Sequence, residues 1–335
     1  MGPAEPAAAP PRRPPRWPEL VGIVGSVFLG VVFLVATWGK AIDPLAFAQQ
    51  IRVEGLDLLL PAQAVALAAL ALEGALGVAL LLALRRRWVL VPTALLVAFF
   101  LFLTARGWYL AAHGLREEVV SCGCFGNLVE RTPAQAFGQD LLLLVPPLVL
   151  AFVGRTREGR RFPPVRTTLV AVAAVATLLL AWKAPELPLD DLATRLSPGA
   201  EVSQLCAGGE GTRICLDTLV PELTMGEHVV VIADLGDEGF TASVERLNEY
   251  AFAARGGGGP PLWVLTTAGE EERRAFLWGW GPVFEVREVP EALARPLYRR
   301  LPRSFRLKGG VVRETWTGLP PLPAAPAASD DDDAG

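Results

Sequence analysis

Read for its apolar and polar positions, the chain carries two kinds of pattern. Up to Trp182, long uncharged runs alternate with short charged connectors; beyond it, apolar residues recur at strand and helix periods. Each long run approaches the about 20 apolar residues that a helix needs to cross a bilayer. The runs are Leu20–Trp38, Pro61–Leu84, Trp88 to near His113, Phe137–Val153 and Val165–Trp182. The first competes with a cleaved signal peptide, because Arg12, Arg13 and Arg16 precede it. It is longer than a signal core and closes on Thr37-Trp38-Gly39-Lys40 without an Ala-x-Ala site, so it reads as an uncleaved helix. Pro146-Pro147 predicts a kink in the fourth run, where a ring meets the preceding turn and a donor is lost. Trp38, Trp88, Trp108 and Trp182 read as interface belts, with Arg106, Tyr109 and His113 as neighbours at the far end of the third run.

From about Pro185 the periods shorten. Val202–Leu216 reads as a hairpin around Gly208-Gly209-Glu210-Gly211. Val229–Asp234, Leu262–Thr267 and Val283–Val286 read as strands, separated by helices over Phe240–Arg255 and Glu270–Trp280. A helical stretch, Pro290–Arg300, leads into two final strands joined by Gly309-Gly310. The expected division is a disordered arm (1–18), a four-helix membrane domain (19–155), a basic connector with a fifth transmembrane helix (156–184), a soluble α/β domain (185–320) and a disordered acidic tail (321–335).

Charge adds an orientation. Arg12/Arg13/Arg16, Arg85–Arg87 and Arg155–Arg166 are the basic clusters, and with five spans all fall on one side. Basic connectors stay in the cytoplasm, so the N-terminus is expected there. The connector Leu115–Ala136 and everything after Lys183 are then extracytoplasmic. Hydrophobic residues make up 52% and charged residues 20% of the chain, which suits a membrane half with a soluble half. A net charge of −4 and the lack of a basic patch with interleaved aromatics exclude nucleic acid as a partner. Two His in the whole chain argue against a histidine-rich metal site.

The cysteines supply the candidate chemistry. Four are present, in two close pairs, a usage suited to an oxidising compartment. Cys122 and Cys124 flank Gly123 in the connector between the third and fourth spans. A disulfide across one residue closes a very small ring, which leaves it easily reduced and ready to accept electrons from other thiols. The same pair would also serve as a structural bridge, or hold copper(I) with two soft thiolates. Cys206 and Cys215 sit opposite each other across the hairpin, at a separation a disulfide spans. They are either a staple or an electron partner for Cys122 and Cys124. Glu73 stands alone near mid-membrane, where a charge is costly and faces the bundle interior, with Lys40 and Arg106 as candidate partners. A proton site and a packing ion pair are both open for it. Asp43 before Pro44 reads as a turn cap.

The first half resembles the DoxX/MauE family of redox-associated membrane proteins. The resemblance is carried by Trp38-Gly39-Lys40 with Asp43-Pro44, Leu59-Leu60-Pro61, Glu73, Ala105-Arg106-Gly107 and Cys122-Gly123-Cys124-Phe125-Gly126. It implies a four-helix membrane bundle, maturation of disulfide-rich exported proteins and, in some members, oxidation coupled to a quinone. By that resemblance alone, Glu73, Lys40 and Arg106 are the residues that would face such a cofactor. The last part resembles a thioredoxin-like domain, with Pro302 at the family's cis-proline position. Where that family carries Cys-x-x-Cys, this chain reads Leu235-Gly236-Asp237-Glu238-Gly239-Phe240, without a thiol.

The resulting expectation is a membrane α-helical bundle followed by a soluble α/β thioredoxin-like domain, in a bacterial inner membrane. Its function would be a thiol–disulfide relay at the extracytoplasmic face, with Cys122, Cys124, Cys206 and Cys215 as the exchanging thiols and an exported thiol protein as partner. A non-catalytic assembly factor and a copper(I)-handling protein are the alternatives.

Overall fold

The computed structural model of the chain describes residues 17–114, 132–156, 164–208 and 213–321. The expectations for the N-terminal arm, for Cys122 and Cys124, for the tip of the cysteine hairpin and for the acidic tail lie outside the described residues.

The apolar runs form α1 (Trp17–Ala41), α3 (Ala62–Leu81), α4 (Arg87–Ala112), α5 (Pro133–Val153) and α6 (Pro164–Lys183), with α2 (Pro44–Val53) between α1 and α3. Among the described residues these five long helices have the length and composition to cross a membrane, which makes the first half a multi-pass membrane bundle. Helix α2 lies inside what the pattern treats as a plain connector. Asp43 caps it by accepting the Ala46 N–H at 3.1 Å, and Pro44, whose fixed φ suits a helix start, takes the first position. Helix α5 starts on a capping box, Thr132 with Gln135, and runs through Pro146-Pro147 as one helix to Val153. The assigned helix does not break there, and Pro147 is buried on its packed face.

Helix α1 is the axis, packing most extensively on α3 and α5; α4 lies on α5 and α6 on the outer side of α3. Contact between α3 and α4 is slight. In lipid there is little hydrophobic gain in pairing helices, so close backbone approach at small residues matters more. A Cβ added at Gly25 would meet the Pro147 carbonyl at 2.6 Å, and one at Gly22 would meet the Gly154 Cα at 2.5 Å. Leu29, Phe33, Leu76, Leu80, Leu90 and Leu144 fill the bundle core.

Alternation of the spans puts the C-terminal ends of α1, α4 and α6 together with α2 at one end of the bundle. The other end is tied by Arg85, whose Nη1 donates to the Glu19 carbonyl at 2.9 Å and to that of Gly154. One buried guanidinium therefore joins the start of α1, the α3–α4 turn and the end of α5.

A short link with α7 (Asp190–Ala193) leads to the soluble domain. A small ladder, β1 (Cys206–Ala207) with β2 (Ile214–Cys215), precedes α8 (Leu216–Leu219). The main sheet follows: β3 (Glu227–Ile232), α9 (Glu238–Thr241), α10 (Val244–Ala253), β4 (Leu262–Thr266), α11 (Glu270–Trp280), β5 (Glu285–Glu288), α12 (Glu291–Ala294), β6 (Arg303–Lys308) and β7 (Val311–Thr317). Strand order is β5-β4-β3-β6-β7, with β3, β4 and β5 parallel and β6 and β7 antiparallel to their neighbours.

The Val229–Ile232 run is apolar at every position because both faces of the sheet are covered. Val229 and Val231 join Phe240, Leu247 and Phe276 on one face; Val230 and Ile232 join Leu216, Leu293 and Phe305 on the other. Gly309 and Gly310, with φ of 59° and 72°, turn β6 into β7, a conformation two glycines adopt without a Cβ penalty. The peptide Leu301-Pro302 is cis. A parallel β-α-β unit, an antiparallel strand pair and a cis-proline at the head of that pair make this half thioredoxin-like.

Several elements differ from their expected extents. The helix expected over Phe240–Arg255 is divided into α9 and α10, since Ser243 and its neighbours bond locally instead of continuing the ladder. The cysteine hairpin keeps only two residues in each strand, Val202–Gln204 being a 3-10 turn. The strand placed at Val283–Val286 lies at Glu285–Glu288, because its ladder partner is Trp263–Thr266.

Candidate functional site

The segment bearing Cys122 and Cys124 leaves α4 and enters α5 at the α2 end of the bundle. Two contacts hold its flanks. Trp108 of α4 stacks on Phe137 of α5 with ring centroids 5.7 Å apart, and Arg106 pairs with Glu54, just after α2, at 2.6 Å. Arg106 is thus engaged at the rim and not with Glu73.

Glu73 has a different partner. Lys40 Nζ donates to both its carboxylate oxygens, at 3.0 and 2.9 Å. Both side chains are almost wholly buried, at 4% and 2% exposure. Burying two charges costs several kcal/mol each, on the order of what a two-point contact can offset. The ammonium gains further from aromatic faces, lying 4.7 Å from the Phe100 ring centroid and 5.4 Å from that of Phe47. One turn below Lys40, the buried Thr37 hydroxyl has no hydrogen-bond partner. Glu73, Lys40 and Arg106 therefore fall into two separate pairs and do not converge on one cofactor cradle.

A second group of charges lies where the soluble domain meets the bundle. Asp43 is 7% exposed; its Oδ1 caps α2 while Oδ2 has no hydrogen-bond partner. Burial raises its carboxyl above the usual carboxylate range, outweighing the pull of Arg295 and Arg299. Arg299 donates to the Ala184 carbonyl at 2.7 Å and the Leu187 carbonyl at 3.3 Å, and lies 3.8 Å from Asp190. Burial lowers its guanidinium pKa. Arg295 donates from Nε to Gln49 of α2 at 3.2 Å. Arg303, 2% exposed, donates to Asp191 at 2.6 Å and to Thr317 at 3.0 Å. Apart from Asp43, which reads as a turn cap, none of these groups stands out in the sequence. The available signal is the density of arginines from Arg295 to Arg303, directly before and after Pro302.

Cys206 and Cys215 face each other in the ladder register and are joined by a disulfide. Cys206 is 3% exposed, and its neighbours Leu205 and Leu216 belong to the sheet core. The bridge thus joins the two strands of the hairpin to each other.

At the end of β3, the place of a Cys-x-x-Cys is held by acids. Asp237 accepts the Phe240 N–H at 3.0 Å and Asp234 accepts the Gly236 N–H at 2.9 Å. A helix N-terminus favours negative charge, and that favour would lower a thiol pKa; here a carboxylate takes it. Close by, the Tyr298 phenol is pushed up by burial and by Asp234 and Glu291, against the pull of Arg295.

Residues 18–154 match the model of the family described as Methylamine utilisation protein MauE. None of the curated proteins matches the chain. Among solved structures, a protein described as a thiol:disulfide interchange protein DsbE from Chlorobium tepidum aligns at 18% identity and TM-score 0.30, over 38% of this chain and 89% of its own. The thioredoxin domain of a thiol-disulfide oxidoreductase from Bacteroides vulgatus aligns at 10% identity and TM-score 0.29, over 36% and 88%. A thioredoxin-like protein from Bacteroides caccae aligns at 10% identity and TM-score 0.27, over 56% and 67%.

Proposed function

We propose that this chain, with a MauE-like membrane half and a thioredoxin-like soluble half, is a thiol–disulfide redox protein of the bacterial inner membrane. In this reading Cys122 and Cys124 cycle between dithiol and disulfide at the extracytoplasmic face. A partner's two thiols would become a disulfide as the Cys122–Cys124 disulfide becomes two thiols, with two electrons and two protons passing between the pairs. The reading is supported most by one arrangement: both flanks of the segment carrying the two cysteines lie at the end of the bundle that bears the soluble domain. The outward orientation rests on the basic connectors at the opposite end. Cys206 and Cys215, the other two cysteines of the chain, are the candidates for a second exchanging pair. The reading involves no quinone, because Lys40 pairs with Glu73 and Arg106 with Glu54 as two separate sites.

Trapping by alkylation of membranes equilibrated in graded redox buffers tests this. Cys122 and Cys124 should shift together between alkylated and protected forms within the buffer range. A pair that never changes state, or a Cys122→Ser/Cys124→Ser variant with full function in cells, sinks the redox reading. The second reading, a non-catalytic assembly factor, is favoured by the acid-capped α9, which leaves the soluble domain no thiol in the usual place. It predicts that the double serine variant still supports assembly.

A further inference from the structure

The thioredoxin-like domain has two poles. One carries the C-terminal ends of β3, β4 and β5, the acid-capped start of α9, and Pro302 at the head of β6. The other carries the C-terminal end of α11, since that helix runs back along the sheet from the end of β4. The contacts that join the soluble domain to the bundle come from the first pole. Arg295, in the loop between β5 and Pro302, donates to Gln49 of α2 at 3.2 Å. Arg299, three residues before Pro302, is buried among the link carbonyls of Ala184 and Leu187 and lies 3.8 Å from Asp190. Asp190 and Asp191 of the link are in turn bonded to Thr317 and Arg303 at the sheet edge, at 3.1 and 2.6 Å.

We propose that the loop Glu291–Arg300 is a docking surface whose partner is the chain's own membrane bundle, with Gln49 of α2 as its seat. The pole bearing Pro302 and the thiol-free α9 start is thereby committed to the membrane half and does not receive exported clients. The chemistry of the seat explains why a single pose holds. Asp190 and Arg299 are buried 3.8 Å apart, and each is costly to leave unpaired, so only the register that keeps the loop beside the link is tolerated. An apolar seat would tolerate sliding; a buried polar one does not. The far pole remains open to the outside, with Trp278 at 86% exposure and Phe252 at 60%.

The test is a crosslink in the full chain, in membranes, built on Cys122→Ser/Cys124→Ser. Gln49→Cys with Arg295→Cys, both outside the core, should close to a disulfide under mild oxidation. Gln49→Cys with Trp278→Cys is the control for the far pole. Docking predicts a yield on the order of tenfold above the control, because a held pose raises the effective concentration of the pair. Arg299→Glu added to the first pair should bring its yield down to the control, while the intact Cys206–Cys215 disulfide in peptide mass spectra reports that the domain still folds. Equal yields for the two pairs overturn the proposal. So does loss of the first crosslink when unfolded, carboxamidomethylated ribonuclease is added, since the pole would then be serving clients. These variants lack Cys122 and Cys124, so docking and the redox reading fail independently.

Discussion

The middle of the bundle and the soluble half bury charge in opposite ways. In the bundle, Lys40 and Glu73 face each other directly, with both carboxylate oxygens on one ammonium and aromatic rings closing the shell. In the soluble half, Arg299 and Arg303 are spread over carbonyls, hydroxyls and carboxylates from several segments. The reason is the solvent each half answers to. Inside lipid no water can complete a half-made contact, so a charge needs its whole partner within one pair. At the rim a guanidinium offers five donors, and backbone carbonyls freed by turns are there to receive them. The first arrangement fixes one helix pair; the second ties the soluble domain to the link that follows α6.

The largest expected effect strikes the bundle pair. Glu73→Ala leaves the Lys40 ammonium buried and alone, and should cost about 3–5 kcal/mol in detergent thermal unfolding. Lys40→Met with Glu73→Met should restore most of that stability. If the double variant is as unstable as the single one, the pair is not the self-contained unit described above.

Next comes the staple of the soluble half. Cys206→Ser with Cys215→Ser opens a loop of sequence separation 9, and should lower that domain's stability by about 2–3 kcal/mol. The loss should appear in urea unfolding of the soluble half and leave the helical signal of the bundle in place. A simultaneous loss of both signals would mean that the halves unfold as one body.

The smallest effect sharpens the rim. Asp43→Asn keeps an N-cap acceptor for α2 while removing the charge that burial disfavours. The native Asp43 carboxyl has its pKa raised by burial, so the folded chain holds that proton more tightly than the unfolded chain does. Its contribution is fully present below the ordinary carboxylate range and is lost as pH rises through the raised value. At neutral pH the Asn variant should therefore match or exceed the native stability, by up to about 1 kcal/mol, with a flatter dependence on pH through the acid range. A marked loss at neutral pH would show that the pull of Arg295 and Arg299 outweighs burial.

What the sequence determined by itself is what local pattern carries. The uncharged runs located five long helices because a bilayer demands length and apolarity, and nothing distant can override that demand. The order of strands and helices after Pro185, the place of Pro302 and the pairing of Cys206 with Cys215 were legible for the same reason: period, turn residues and spacing act over a few positions. The partner of Glu73 was one of two candidates, and only the packing of α1 on α3 chose Lys40 while α2 drew Arg106 to Glu54. Helix α2 was hidden because its cap reads equally well as a turn, and its face gains by packing on α3. The seat of the soluble domain was hidden altogether. Gln49 and Arg295 lie 246 positions apart, and no local rule relates side chains at that distance. Their meeting was decided by tertiary structure, because the packing of the two halves, and not the sequence around either residue, sets which side chains adjoin.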